Sequence, residues 1–347
     1  MTRIFLSLAV TAVVSVSSGA ISFGSDGEGS PEAAPTVSWV RVTEAAGWQP
    51  RDSQGELVFD NKLWIFGGWF NSYEAPPRDV WNSADGKTWN PVLNDAPWKH
   101  SDLSMSVTFR NRMWFMGGWY NGRLPGHSAS NMVWSSNDGT SWTQETAAAG
   151  WSPRLSAGLV VFKDRMWMLG GTENYYFGDN DSLKNDVWSS ADGVTWQQET
   201  AAAPWSARAY HQAAVLNGRI YVFGGGNYVP EYKAFNDVWS SADGKTWRQE
   251  TAHAPWHERL WFPSVVYRGQ IWIFGGWSNN PSTNWGDVWY SPNGRDWKTL
   301  QTTESWKERH EHSAYVMNDR IWIAGGHAKP LSSEVWSLQL PRNWTGR

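Results

Sequence analysis

Short apolar runs broken by polar turns make up this chain, and one arrangement of them recurs six times. Each copy ends an apolar strand in a Gly-Gly pair: Gly67-Gly68, Gly117-Gly118, Gly170-Gly171, Gly224-Gly225, Gly275-Gly276 and Gly325-Gly326. The spacings are 50, 53, 54, 51 and 50 residues. In the fourth copy, Trp205, Arg208 and His211 lead into an apolar stretch from Ala213 to Leu216. A turn at Asn217-Gly218 and a second stretch from Arg219 to Phe223 follow. After a variable segment come Asn236-Asp237-Val238-Trp239-Ser240, a turn at Ala242-Asp243-Gly244, and Thr246-Trp247. Asn-Gly and Asp-Gly between apolar runs favour tight hairpins, because both turn positions need or tolerate positive φ. The pattern therefore predicts four strands per unit.

A fixed period of about 50 residues built from strands and turns predicts a radial repeat in which each unit is one blade. The expected fold is all-β: a six-bladed β-propeller of four-stranded antiparallel blades over residues 36–340, with a tail at 341–347. The Gly-Gly pairs permit close backbone approach near the crowded centre. The last unit ends at Glu334-Val335-Trp336-Ser337-Leu338 with no fourth strand after it. The missing strand is expected from Ser38 to Thr43, so the N-terminal strand should complete the sixth blade and remove an exposed edge.

The chain has 29 Trp, and the repeat accounts for most of them. Six open the units (Trp48, Trp98, Trp151, Trp205, Trp256, Trp306), and others recur in the second, third and fourth strands. Buried between blades, each contributes about 2–3 kcal/mol. Trp69, Trp119, Trp261, Trp277, Trp285 and Trp344 fall outside this framework. A second regularity pairs charges. Arg51, Arg154, Arg208, Arg259 and Arg309 recur at the start of the first strand, and Asp79, Asp186, Asp237, Asp287 and Glu334 recur in the third. The second unit lacks both, with Ser101 and Met132. Joint loss predicts an ion pair within each of the other five blades, because an unpartnered buried charge is costly.

The two short hairpins of each unit should share one face, leaving the variable connections on the other. Function concentrates on variable loops carried by a rigid scaffold. That variable face is aromatic and polar, and also holds Asp52, Asp102 and His327. The candidate ligand-binding residues are Trp69, Trp119, Arg123, Glu173, Tyr175, Tyr210, Trp261, Trp277, His310 and Glu311. Aromatic rings with Asn, Asp and Arg suit a carbohydrate, whose C–H face stacks on them, or a peptide segment. His211 and His312, each three residues after a repeat Arg, read as packed residues; His310 and His312 are expected to point the same way on a strand. No catalytic residue, metal ligand or cofactor is assigned, and binding is favoured over catalysis.

Met1 to Arg3, the apolar run Ile4 to Val16 and the small residues Ser18 to Ala20 predict a secretory signal peptide over 1–20. Residues 21–35 read as a flexible linker. The mature protein is thus expected in a periplasm or the medium, as a monomer. There is no cysteine, so no disulfide or thiol chemistry. A net charge of −4 without a basic stripe argues against nucleic-acid binding, and the apolar run is too short to span a membrane.

The repeat resembles Kelch β-propellers. The resemblance covers about residues 36–340 and rests on the Gly-Gly pairs, the aromatic in the preceding strand, the repeat Arg and the fourth-strand Trp. Such rings include oxidases, sugar epimerases, specifier proteins and binding modules, so the resemblance implies the fold and leaves function to the site. The turns from Ser83 to Trp89 and their copies look like the Asp-box hairpins of sialidases, one residue shorter; there the box lies away from the catalytic pocket. Galactose-oxidase chemistry needs a Tyr–Cys pair, which this chain lacks. A bacterial sialic-acid mutarotase is the nearest enzymatic analogue, needing only an acid–base pair; Glu311 with His310, or Glu173 with Arg123, would serve. Glu304, Glu308 and His312 have a spacing similar to the iron-binding pattern of plant specifier proteins, with Glu in place of Asp. The alternatives to a ligand-binding module are therefore a sugar-processing enzyme and a protein-interaction scaffold.

Overall fold

The structure is a computed structural model that describes residues 37–346. The predicted signal peptide and linker lie outside the described residues. Six four-stranded antiparallel sheets form the blades, and strands are lettered A to D outward from the axis. Blade 1 comprises Gly55–Phe59, Lys62–Phe66, Val80–Ser83 and Asn90–Leu93. Blade 2 comprises Met105–Phe109, Arg112–Met116, Val133–Ser136 and Thr143–Thr146. Blade 3 comprises Gly158–Phe162, Arg165–Thr172, Leu183–Ser190 and Gln197–Thr200. Blade 4 comprises Gln212–Leu216, Arg219–Phe223, Val238–Ser241 and Trp247–Thr251. Blade 5 comprises Ser264–Tyr267, Gln270–Asn279, Ser282–Ser291 and Lys298–Thr299. Blade 6 comprises Ser313–Met317, Arg320–Ala324, Val335–Leu338 and, as its strand D, Trp39–Thr43.

The N-terminal strand completes blade 6, as expected. Trp39 faces Leu338, Val40 faces Ser337, and a bulge then sets Thr43 against Val335. The A strands of successive blades touch around a complete circle. Between each neighbouring pair of blades lies one apolar cluster, six in all. T-shaped Trp pairs recur in these clusters, as in Trp151–Trp196 and Trp205–Trp247, with ring centroids 5.9 and 6.0 Å apart. The Trp after each Asp-Gly turn lies just ahead of strand D rather than in it, except in blade 4, where Trp247 opens the strand.

The Asp-Gly turns explain their own glycine. In blade 1 the Ser83 hydroxyl accepts the Gly86 N–H at 2.8 Å, and Asp85 Oδ1 accepts the N–H groups of Lys87 and Thr88 at 2.8 Å each. Gly86 has φ +72°, and a Cβ there would stand 2.2 Å from the Trp322 ring of blade 6. Blade 6 has no such turn to lay on Trp272 of blade 5. Trp344 from the tail takes its place, 5.3 Å from Trp272 and 5.2 Å from Tyr290.

The ion pairs form as expected. Arg51, Arg154, Arg208, Arg259 and Arg309 bind Asp79, Asp186, Asp237, Asp287 and Glu334, each within one blade. Each Arg also donates to the carbonyl of the first glycine of its Gly-Gly pair, at 2.7–2.9 Å. Each acid also accepts a strand-C Trp N–H, as from Trp188 to Asp186 at 2.8 Å. In blade 2 the Ser101 hydroxyl instead donates to Pro77 O at 2.6 Å, and the indole N–H of Trp134 is left without a partner.

Candidate functional site

Two residues after each repeat Arg, and after Ser101 in blade 2, the chain turns into the left-handed region. The residues are Ser53, Leu103, Ser156, Tyr210, Trp261 and Glu311, with φ between +51° and +57°. None is glycine, and for Leu, Tyr and Trp this conformation is strained. What over-determines it is a closed ring of backbone hydrogen bonds about the axis. Ser53 N–H donates to Glu311 O, Leu103 to Ser53, Ser156 to Leu103, Tyr210 to Ser156, Trp261 to Tyr210, and Glu311 to Trp261, at 2.8–3.3 Å. The residue before each ring member pairs with the residue after Gly-Gly in the same blade: Asp52 with Trp69, Asp102 with Trp119, Leu155 with Thr172, Ala209 with Gly226, Leu260 with Trp277, and His310 with His327. Blades 6, 1 and 2 thus present His310, Asp52 and Asp102, while blades 3 to 5 present Leu155, Ala209 and Leu260.

Above the ring, side chains from all six blades form an arc of aromatic contacts. It runs from Trp119 through His127, Phe177, Tyr176, Tyr175, Tyr228, Trp261, His310 and His327 to Trp69, with neighbouring centroids 4.0–6.4 Å apart. Tyr232 and Trp277 flank it. Of these, Trp119, Tyr175, Tyr176, Tyr228, Tyr232, Trp261 and Trp277 belong to a seventh apolar cluster, separate from the six between blades.

Three carboxyls lie within this region: Asp52, Asp102 and Glu311. The Ser53 hydroxyl donates to Asp52 Oδ1 at 3.2 Å. Both oxygens of Asp102 and Glu311 Oε1 are buried without a partner. Among the described residues no Lys or Arg pairs with them; their nearest basic groups are His327, 3.3 Å from Asp52, and His310, 3.5 Å from Glu311. Burial, reinforced by the neighbouring carboxylates, pushes Asp102 and Glu311 well above the usual range. Burial pushes Asp52 up as well, against the lowering pull of His327. Burial also holds His310 well below its ordinary value, aided by His327 and Lys329.

The predicted residues separate into two groups. Tyr175, Tyr210, Trp261, His310 and Glu311 converge at the axis, and Tyr210, Trp261 and Glu311 also line the axial cavity. Trp69 and Trp277 are part-buried on its rim. Trp119 is 1% exposed, its indole N–H held by Gly122 O at 2.9 Å, so it supports the face from beneath. Arg123 stacks over Tyr176 at 4.5 Å, whereas Glu173 binds Lys184 at 3.0 Å, so these two are not partners. His310 and His312 do not share a strand: strand A begins at Ser313, His310 stacks on the variable face, and His312 packs against Trp306. Glu304 and Glu308 are exposed and His312 is buried, so that spacing builds no site. Asp52, Asp102 and His327 lie on the predicted face but outside the candidate set, and Ser53 gave no signal beyond its place two residues after Arg51.

Below the ring the axis holds a cavity of about 280 Å³, lined by polar groups that include Gln54, Glu56, His211, Gln212 and His312. Neither ring nitrogen of His211 or His312 has a partner. Burial pushes the Glu56 carboxyl up to about 8, with Ser313 Oγ 3.5 Å away. An acid with a raised folded-state pKa holds its proton more tightly when folded. Its contribution to stability is therefore full below the ordinary 4.5 and is lost as pH rises to about 8. The full shift corresponds to roughly 4–5 kcal/mol, and screening by the polar lining of the cavity reduces it. Urea unfolding should show about 2 kcal/mol less stability near pH 8 than near pH 5 from this group. Glu56→Gln should remove that slope; a variant with the same slope as the wild type would refute the assignment.

A family model, the KLHDC2/KLHL20/DRC7 Kelch-repeats domain, matches residues 178–345, which include blades 4 to 6 without their closing strand. No curated protein matches the chain. Among the described residues no helix is long and apolar enough to cross a membrane. Blades 1 to 3 repeat the same Gly-Gly, Trp and turn positions as the matched part, and the chain is a six-bladed β-propeller with a Kelch-repeat match over residues 178–345.

Proposed function

We propose that this protein is an exported, monomeric binding module that takes a carbohydrate or a peptide segment on its variable face, over the axis. The observation that carries this reading is the aromatic arc around three carboxyls that pair with no Lys or Arg among the described residues. It belongs to none of the six inter-blade cores and draws on every blade. Part-exposed rings at Tyr176, Tyr228, Tyr232 and Trp277 offer stacking surfaces, and the acids and His327 offer hydrogen-bonding groups to hydroxyls or amides.

Thermal unfolding of residues 21–347 against mono- and oligosaccharides, sialic acid included, and against a peptide library tests it. A ligand at about 100 times its dissociation constant stabilises by roughly 2.7 kcal/mol. Trp277→Ala and Tyr228→Ala should abolish the shift while leaving the fold intact. Trp261 is the poorer probe because it also belongs to the backbone ring. No shift with any sugar or peptide would overturn the reading.

One observation favours catalysis instead. His310 Nε2 and Glu311 Oε2 stand 3.5 Å apart beside the axis, an arrangement that suits acid–base exchange at a sugar anomeric centre. Anomeric exchange measured on any sugar that binds separates the two readings.

A further inference from the structure

We propose that His310, His327 and Asp52, with Glu311 as a fourth ligand, form a binding site for a divalent transition-metal ion of the zinc class. The first three offer donor atoms that all lie within 4.8 Å of one another. Asp52 Oδ2 and His327 Nδ1 are 3.3 Å apart, and Glu311 Oε2 and His310 Nε2 are 3.5 Å apart. Ligand atoms bound at about 2.0–2.2 Å around a tetrahedral ion are separated by roughly 3.3–3.5 Å, so these two edges already have the required length.

The orientation of His310 supports the assignment independently. Asn284 Nδ2 donates to His327 O at 2.8 Å, which turns Asn284 Oδ1 toward His310 Nδ1 at 2.7 Å. Nδ1 therefore carries the proton, and the Nε2 lone pair faces Glu311. A lone pair aimed at a carboxylate oxygen repels it unless a cation or a proton lies between. An imidazole fixed through its other nitrogen is the usual outer-shell support of a metal ligand. The bridge between His310 and His327, with His327 N–H donating to His310 O at 2.9 Å, holds both rings on one side.

Charge points the same way. Asp102, 1% exposed with both oxygens unpartnered, and the unpartnered Glu311 Oε1 adjoin the group. A divalent ion would supply the missing positive charge. Two imidazoles beside carboxylates favour zinc and its neighbours over calcium or magnesium, which prefer all-oxygen sets. His327 keeps about a third of its side chain exposed, 32%, which gives an ion a path from the variable face.

The test needs no organic ligand and is independent of the binding function proposed above. Residues 21–347, stripped with EDTA, are titrated with zinc sulfate by calorimetry and with cobalt chloride by visible absorption. One zinc per chain is expected, together with the strong visible bands of tetrahedral cobalt and a thermal stabilisation that EDTA reverses. His327→Gln and Asp52→Asn should each weaken zinc about 100-fold or more, and Asn284→Ala roughly 10–100-fold. Circular dichroism of the metal-free variants checks folding, and if one fails to fold, the wild-type cobalt spectrum decides alone. Sub-stoichiometric zinc, a purely octahedral cobalt spectrum, or unchanged zinc affinity in folded His327→Gln would overturn the proposal.

Discussion

Arg208→Ser is expected to lower stability by about 3–5 kcal/mol. The guanidinium is fully buried. It donates to Asp237 at 2.6 and 2.9 Å, to Gly224 O at 2.9 Å and to Ser206 O at 3.0 Å, and it stacks on Phe235 at 4.4 Å. Removing it strands a carboxylate that only the Trp239 indole, at 2.8 Å, still satisfies among side chains. Asp237→Met alone should be similarly harmful, because it strands the guanidinium. Blade 2 indicates the remedy, since Ser101 and Met132 fill the two positions there without either charge. The double variant Arg208→Ser with Asp237→Met should therefore be more stable than either single one. The coupling expected for groups in direct contact is about 1–3 kcal/mol. Urea unfolding of the four proteins measures it, and costs that simply add would show that the pair is not a unit.

Trp39→Ala is expected to cost about 3–5 kcal/mol, the range for large-to-small changes at buried aromatics. Trp39 is 2% exposed and meets Trp306 and Phe274 edge-on at 6.1 Å. Its strand also supplies the sheet pairing that joins the start of the chain to blade 6. Amide exchange should therefore rise in Val335–Leu338 first, before the other C strands. A cost under about 1 kcal/mol, or uniform exchange across the blades, would mean that the N-terminal strand does not hold the ring closed.

Much of this architecture was legible in the sequence because it repeats. Six copies of one unit fix strand order, and the one unit that lacks a fourth strand identifies what closes the ring. The Arg–acid pairs were readable for the same reason: Ser101 and Met132 depart together. Some features follow from closure rather than from local preference, and these were not readable. Leu103, Tyr210 and Trp261 adopt left-handed backbone because ring hydrogen bonds hold them there, not because their residue type favours it. All six strand A–B turns have positive φ at both central residues, as at Asp60-Asn61 and Lys163-Asp164, but only Asn217-Gly218 carried the strong local signal. The docking of Trp344 depends on a turn that one blade lacks.

The site was half legible. Variable loops and aromatic residues pointed to one face, and Tyr210, Trp261, His310 and Glu311 meet there. The acid and histidine cluster joins Asp52, Asp102, Glu311, His310 and His327 from three blades, and no local spacing connects them. Each was visible only as a departure from what the other units carry at the same position.

The most direct test of the central claim is amide-exchange mass spectrometry on residues 21–347, with and without the first saccharide or peptide that raises the unfolding temperature. Protection is expected in the segments after Gly-Gly, around residues 69–73, 172–183, 226–234, 277–284 and 327–331, and in the ring residues beneath them. Protection confined to the opposite face, at the turns around 60–61, 85–88, 217–218 and 243–246, would contradict the assignment of the variable face as the binding surface.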